Sequence, residues 1–230
     1  DYFLAPSAYA SKCFKTSFAL KNSQILELGY PRNDDLLNYK NDKSYQDEIK
    51  QALGIELSKK VILYAPTFRD DDFVTGKHVA TNQLDNDEFK SYFGEDVQFL
   101  FRGHYFAQVE TLDDGFFINV SDYPRINDLL LIADELITDY SSLFFDYLIL
   151  ERPIYFYMYD KNKYLNGIRG CYLDVDGDLP GPVIESQERL LDVMVQKDFN
   201  WQHLNNFNNI YNPYETGASS ARVIKRILGL

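Results

Sequence analysis

The chain has 230 residues, of which 45% are hydrophobic and 25% charged, a balance that supports a folded domain with a substantial core. Its net charge of -12 excludes a nucleic-acid face built from clustered Lys and Arg and gives no attraction to an anionic membrane surface. A small anionic substrate remains compatible with that charge, because a few Arg, His and backbone N–H groups hold a phosphate locally.

The first residues, Asp1 to Pro6, carry no basic region and no initiator Met and open on a strand-like run, so the chain is expected to be a piece of a longer one. A helical pattern covers Ser7–Ala19, followed by a strand over Ile25–Tyr30 and a helix over Ser44–Leu53. The strand at Lys60–Ala65 is apolar nearly throughout, as expected where both faces are covered. Asn86–Phe93 reads as a helix, Val97–Arg102 and Phe116–Val120 as strands, and Ile126–Ala133 as a helix. Glu135–Thr138 is a strand leading into a helix at Ser142–Leu150, and Pro153–Tyr157 is the last strand. Helices at Ser186–Gln196 and Ala218–Leu228 finish the chain. Strands alternating with short helices predict an α/β fold, a doubly wound parallel sheet. No apolar run approaches the ~20 residues that span a bilayer.

In such sheets ligands bind beyond the carboxyl ends of the strands. Four ends carry polar chemistry: Arg32 after the first strand, Thr67 and Arg69 after the second, Arg102-Gly103-His104 after the third, and Thr138-Asp139-Tyr140-Ser141-Ser142 after Glu135–Ile137. The last segment offers hydroxyls and N–H groups where a helix begins, suited either to a phosphate or to an ordinary helix cap. Asp146, one turn on, suits a ribose or polyol hydroxyl, or is a plain surface charge. Arg32 and Arg102 are placed to neutralise a diphosphate, whereas Arg69 precedes Asp70 to Asp72, which are equally good partners for it. His104 is placed to donate to phosphate or protonate a leaving group. Cys13 and Cys171 form no CxxC pair and read as reduced, cytosolic thiols. No HExxH, Cys/His, GxGxxG or P-loop pattern occurs, so neither a dedicated metal site nor a required cofactor is expected.

The segments Gly29–Asp34 (GYPRND), Tyr64–Asp71 (YAPTFRDD), Phe101–Phe106 (FRGHYF) and Ile126–Asp160 together resemble the CDP-glycerol glycerophosphotransferases of bacterial teichoic acid and capsule synthesis. Arg169–Ile184 and Tyr214–Leu228 follow in the family's order. The resemblance implies the C-terminal, Rossmann-like half of a GT-B architecture, with residues 1–20 leaving an N-terminal domain and residues 21–230 binding the nucleotide donor. It implies donor contacts at Arg32, Thr67, Phe68, Arg102, Gly103, His104, Ser141, Ser142 and Asp146, with Phe68 against the base or ribose and His104 at the leaving group. The implied donor is CDP-glycerol or CDP-ribitol. The implied acceptor is a lipid-linked polymer reached through the N-terminal half, in a cytoplasmic enzyme with room for peripheral membrane association. A Trp-His-Gly-Thr-Pro segment carries the family's candidate general base and is absent from this chain, so donor binding with little turnover is expected. Two other readings stay open: a GT-B sugar transferase or nucleotide-sugar 2-epimerase half, and a non-catalytic nucleotide-binding module.

Overall fold

The computed structural model describes the chain apart from residues 1, 68, 70–72, 75–76, 81–82, 104–106, 110–113, 169–170 and 198, and describes residues 73–74, 77–80, 107–109 and 168 by their backbone only. Strand β1 (Phe3–Ala5), helix α1 (Ala8–Ser17) and strand β2 (Ile25–Glu27) form a unit in which the two strands pair in parallel. Ser7 caps α1 by accepting from the Ala10 amide at 3.3 Å. Helices α2 (Asp34–Tyr39) and α3 (Lys43–Ala52) lead to β3 (Lys60–Tyr64). Short strands β4 (Phe73–Val74) and β5 (Lys77–Ala80) precede α4 (Asn86–Phe93) and β6 (Val97–Phe101). Then come β7 (Ala107–Val109), β8 (Phe117–Asn119), α5 (Ile126–Ile132), β9 (Glu135–Thr138), α6 (Leu143–Leu148) and β10 (Ile154–Tyr157). A short helix α7 (Lys161–Lys163) runs into a π-helical turn at Tyr164–Ile168, before β11 (Val183–Ile184), α8 (Gln187–Gln196), α9 (Trp201–Tyr211) and α10 (Ser219–Leu228).

The main sheet has six strands in the order β11-β10-β9-β3-β6-β8, all parallel. From β3 the chain builds outward through β6 and β8, then returns to the other side of β3 through β9, β10 and β11. The strand order therefore reverses between β3 and β9, which is where a doubly wound sheet opens a crevice. Val61, Ile62 and Leu63 in β3, and Leu136 and Ile137 in β9, are fully buried. Each such side chain contributes about 1.5–3 kcal/mol relative to exposure. The expected doubly wound parallel sheet is therefore present.

One predicted strand sits elsewhere. Ile25–Tyr30 is strand only over Ile25–Glu27 and pairs with β1, outside the six-stranded sheet. Gly29 at φ +76° and a 3-10 turn at Pro31–Asn33 end it early. Three of the four predicted strand ends thus come from one sheet, and Arg32 approaches from the neighbouring unit. The pairing of β1 with β2 also carries one two-stranded sheet across residues 20 and 21.

Candidate functional site

The residue that organises the crevice is Asp139, the first after β9, which is 1% exposed. Its Oδ1 accepts from the Thr67 amide at 2.7 Å and from its neighbour Tyr140 at 2.6 Å. Its Oδ2 lies 2.9 Å from the Arg69 guanidinium. The Thr138 hydroxyl donates to the Ala65 carbonyl at 2.8 Å, tying the same two strand ends once more. Arg69 pairs with Asp160 as well, so its partners are these distant carboxylates; Asp70 to Asp72 lie outside the described residues. The Thr67 hydroxyl is buried with no hydrogen-bond partner among the described residues, a donor left over at the switch point.

Beyond Asp139, the Ser141 hydroxyl accepts from the Leu143 amide at 3.2 Å. Ser142 is exposed and makes no capping bond through its side chain. The helix-cap reading therefore fits Ser141, while the Ser142 hydroxyl is left uncommitted to the helix end. One turn later Asp146 meets Arg32 in a two-pronged pair, Nε to Oδ2 at 3.2 Å and Nη2 to Oδ1 at 3.1 Å. The Arg32 side chain is 57% exposed and Asp146 only 14%, so an incoming anion can reach the guanidinium, and Asp146 then requires a hydrogen-bond donor in its place. Its guanidinium also lies 4.2 Å from the centre of the Tyr30 ring.

These residues face a cavity of about 510 Å³, bounded by Arg32, Asp139, Ser142 and Asp146 on one side and by Tyr9 and Phe14 of α1 on the other. That size suits a nucleotide-sized ligand. Arg102, half-buried after β6, donates to the carbonyls of Val120 at 3.1 Å and Tyr123 at 2.9 Å. Among the described residues no carboxylate pairs with it, and burial pushes its pKa down without an offsetting charge. A guanidinium held that way by neutral carbonyls favours an anion. The Gly103 amide is already donated to the Ser121 hydroxyl at 2.9 Å, so it holds the turn and is not free for phosphate. His104 and Phe68 lie outside the described residues.

The segment carrying Arg32 is fastened by the end of the chain. Glu215 accepts from the Tyr30 amide at 2.8 Å and from Asn33 Nδ2 at 3.2 Å, and Asp34 accepts from the amides of Ser219 and Ser220 at 2.7 and 2.8 Å. Arg222 donates to the Leu28 carbonyl at 2.9 Å. The resemblance at Gly29–Asp34 and at Tyr214–Leu228 is thus one structural unit. Among the described residues no cluster of three or more His, Cys, Asp or Glu side chains could hold a metal ion. Sequence reasoning assigned no role to Asp139, Asp160, Tyr140 or Tyr164. Asp139 and Tyr140 shared one signal, their place in the segment directly after a strand.

The family profile described as CDP-Glycerol:Poly(glycerophosphate) glycerophosphotransferase matches residues 1–229. The chain belongs to that family. It is 43% identical over 201 residues to the teichoic acid glycerol-phosphate transferase of Staphylococcus aureus (strain NCTC 8325 / PS 47), covering 86% of this chain and 51% of the relative. The solved structure of the wall teichoic acid polymerase TagF superposes with a TM-score of 0.91 at 39% identity, covering all of this chain and 58% of the other. A variant of TagF soaked with CDPG gives a TM-score of 0.86 at 36% identity, covering all of this chain and 56% of that one. This chain therefore spans little more than half the length of each. A UDP-GlcNAc 2-epimerase from Neisseria meningitidis shares the fold alone, with a TM-score of 0.54 and 13% identity over 61% of its chain.

Proposed function

We propose that this chain is the donor-binding half of an enzyme that transfers polyol phosphate, glycerol or ribitol phosphate, from a CDP-activated donor to a hydroxyl of a growing teichoic-acid or capsule polymer. The observation that carries the reading is the cavity beyond the carboxyl end of β9, where Arg32, Ser142 and Asp146 converge in a chain of this family. The sugar-transferase and 2-epimerase readings have only the shared fold behind them, and the non-catalytic reading has no supporting observation.

In the reaction the acceptor oxygen forms a bond to the phosphorus bearing the polyol, and the bond from that phosphorus to the bridging oxygen of CMP breaks. Arg102 and Arg32 offset the charge that builds on the bridging and leaving phosphate oxygens, the large term in phosphoryl transfer. Ser142 donates a hydrogen bond to the same phosphates, with Ser141 behind it. Once Arg32 turns to phosphate, Asp146 is free to accept from a hydroxyl of the ribose or polyol. Thr67, whose hydroxyl has no partner among the described residues, and Phe68 are assigned to the donor by the family resemblance, Phe68 to the base or ribose. His104, next to Gly103, is assigned to protonate or stabilise the departing CMP. The acceptor proton goes to a base that these residues do not supply. A cytoplasmic location agrees with the free thiols of Cys13 and Cys171, and residues 1–20 are assigned to the exit from an upstream domain whose lipid-linked acceptor would bring the enzyme to the membrane.

Calorimetric titration with CDP-glycerol and CDP-ribitol, in competition with CDP, UDP and GDP, tests the reading. Selective binding of the cytidine compounds is expected, with CMP release close to background. Ser142→Ala should weaken binding by about 1 kcal/mol, the value of one hydrogen bond, and Ser141→Ala by less. Equal affinity for the three nucleoside diphosphates would defeat the donor assignment.

A further inference from the structure

We propose that Arg69 is a positioning residue for the donor site, acting through Asp139, Asp160 and the Thr67 carbonyl without touching phosphate. The proposal deepens the donor-binding reading and rests on it. Arg69 is 4% exposed at its side chain. Its Nε and Nη2 donate to Asp160 at 2.8 and 3.1 Å, and its Nη1 donates to the Thr67 carbonyl at 2.5 Å. Nη2 also lies 2.9 Å from Asp139. Three hydrogen bonds and one ion contact therefore engage it, and the guanidinium is outnumbered by two carboxylates. An incoming diphosphate meets a group with neither spare charge nor open access. Arg102, held by carbonyls alone among the described residues, is the opposite case.

What Arg69 does is join three strand ends. Thr67 follows β3, Asp139 and Tyr140 follow β9, and Asp160 follows β10. Asp139 spends its other oxygen on the amides of Thr67 and Tyr140, so the carboxylate that Arg69 holds also fixes the peptide plane leading to Ser141 and Ser142. Tyr140 extends the assembly: its hydroxyl donates to Asp160 at 3.2 Å, and its ring stacks on Tyr164 at 3.6 Å and 2°. Tyr164 opens the π-helical turn, a local irregularity often found at functional sites. The guanidinium carbon is 5.1 Å from the Tyr140 ring centre and 5.0 Å from that of Tyr164. A cation equidistant from two stacked rings lies beside their edges, so its hold comes from the carboxylates and not from either ring face. Burial alone would lower the Arg69 pKa, and the bonds to Asp160 with the charge of Asp139 more than reverse this.

Lysine cannot reproduce the function, since one ammonium does not span two carboxylates and a carbonyl in a plane. The test measures CDP-glycerol affinity for the whole chain and for Arg69→Met, Arg69→Lys, Ser142→Ala and the pairs Arg69→Met with Ser142→Ala and Arg69→Lys with Ser142→Ala, each across a range of salt concentrations. Loss of register at the turn should weaken binding about 10- to 100-fold in both Arg69 variants. Ser142→Ala should then cost almost nothing further, because its hydroxyl is already displaced. Affinity should keep the salt dependence of the wild type, since no phosphate contact is lost, whereas Arg102→Met should flatten it. Where Arg69→Met unfolds, Asp160→Asn replaces it, with a loss of about 3- to 10-fold expected and the same lack of additivity. Full additivity with Ser142→Ala, a flattened salt dependence, or unchanged affinity in a folded Arg69 variant would each overturn the positioning role alone. Absence of CDP-glycerol binding by the wild-type chain would overturn the donor reading and this proposal with it.

Discussion

Replacing Gly29 by alanine tests how the loop carrying Arg32 is held. Gly29 has φ +76°, a left-handed conformation that costs an L-residue about 1–2 kcal/mol. A Cβ built there would lie 2.6 Å from Ser219 Oγ, 3.0 Å from the Tyr214 carbonyl oxygen and 3.1 Å from Glu215 Oε2. The hydroxyl can swing aside, but the Tyr214 carbonyl is backbone, and overpacking of this kind costs about 1–3 kcal/mol. The two effects together predict a loss of about 2–5 kcal/mol. At about 2–4 °C per kcal/mol for a chain of this size, the melting temperature should fall by roughly 10 °C. Urea and thermal unfolding of Gly29→Ala measure this directly. Adding Ser219→Ala removes the shortest contact, and the pair, compared with Ser219→Ala alone, should recover only part of the loss. That reference is needed because the Ser219 hydroxyl also bonds Glu215 and Arg222. A change below about 0.5 kcal/mol in Gly29→Ala would refute both the strain and the packing argument.

Arg102→Met should lower donor affinity by about 1.5–3 kcal/mol, the range for a hydrogen bond to a charged group, while leaving the melting temperature within a few degrees; calorimetry against thermal unfolding separates the two, and a stability loss without an affinity loss would contradict its assignment. Glu215 gives a pH prediction. Burial raises its pKa above the carboxylate value of 4.5, although bonds from the Tyr30 amide, Asn33 and Ser219 oppose the rise. Its contribution to stability is then fullest below the unfolded value and is lost as pH climbs through the folded one. Glu215→Gln should keep the bonds from Tyr30 and Asn33 through its carbonyl oxygen, turn the amide nitrogen to donate to Ser219, and abolish that loss, so the variant gains on the wild type between pH 4.5 and neutrality; parallel melting curves across that interval would count against it.

The main sheet was readable because its strands are continuous apolar runs, and Glu135–Thr138 and Asn86–Phe93 occupy the predicted spans. What periodicity does not encode is which sheet a strand joins, hence the misplaced Ile25–Tyr30. Helix α9 was missed for a different reason. Its asparagines are weak helix formers, and it is held by tertiary packing of Leu204 and Phe207, with the Phe207 ring 6.0 Å from that of Phe145. At the site, the strand-end rule located Arg32, Thr67, Arg102, Ser142 and Asp146, and the structure brings Arg32, Ser142 and Asp146 to one cavity. The partners of Arg69 were not legible, because Asp139 and Asp160 follow later strands and the nearer Asp70 to Asp72 offered a local alternative. The Gly103 contact was implied by the resemblance alone, and only the fold reveals that its amide is donated to Ser121.

The joining of three strand ends by one guanidinium has an evolutionary consequence. A lone change at residue 69 leaves two buried carboxylates without their cation, typically a loss of about 3–5 kcal/mol, and a lone change at 139 or 160 strips the guanidinium of hydrogen-bond or ion-pair partners. Related sequences should therefore retain the trio or exchange it as a set, and the loops after β3, β9 and β10 should drift together. An alignment broad enough to include divergent members would show this as covariation among columns far apart in the chain, distinct from the independent variation expected at exposed positions away from the cavity.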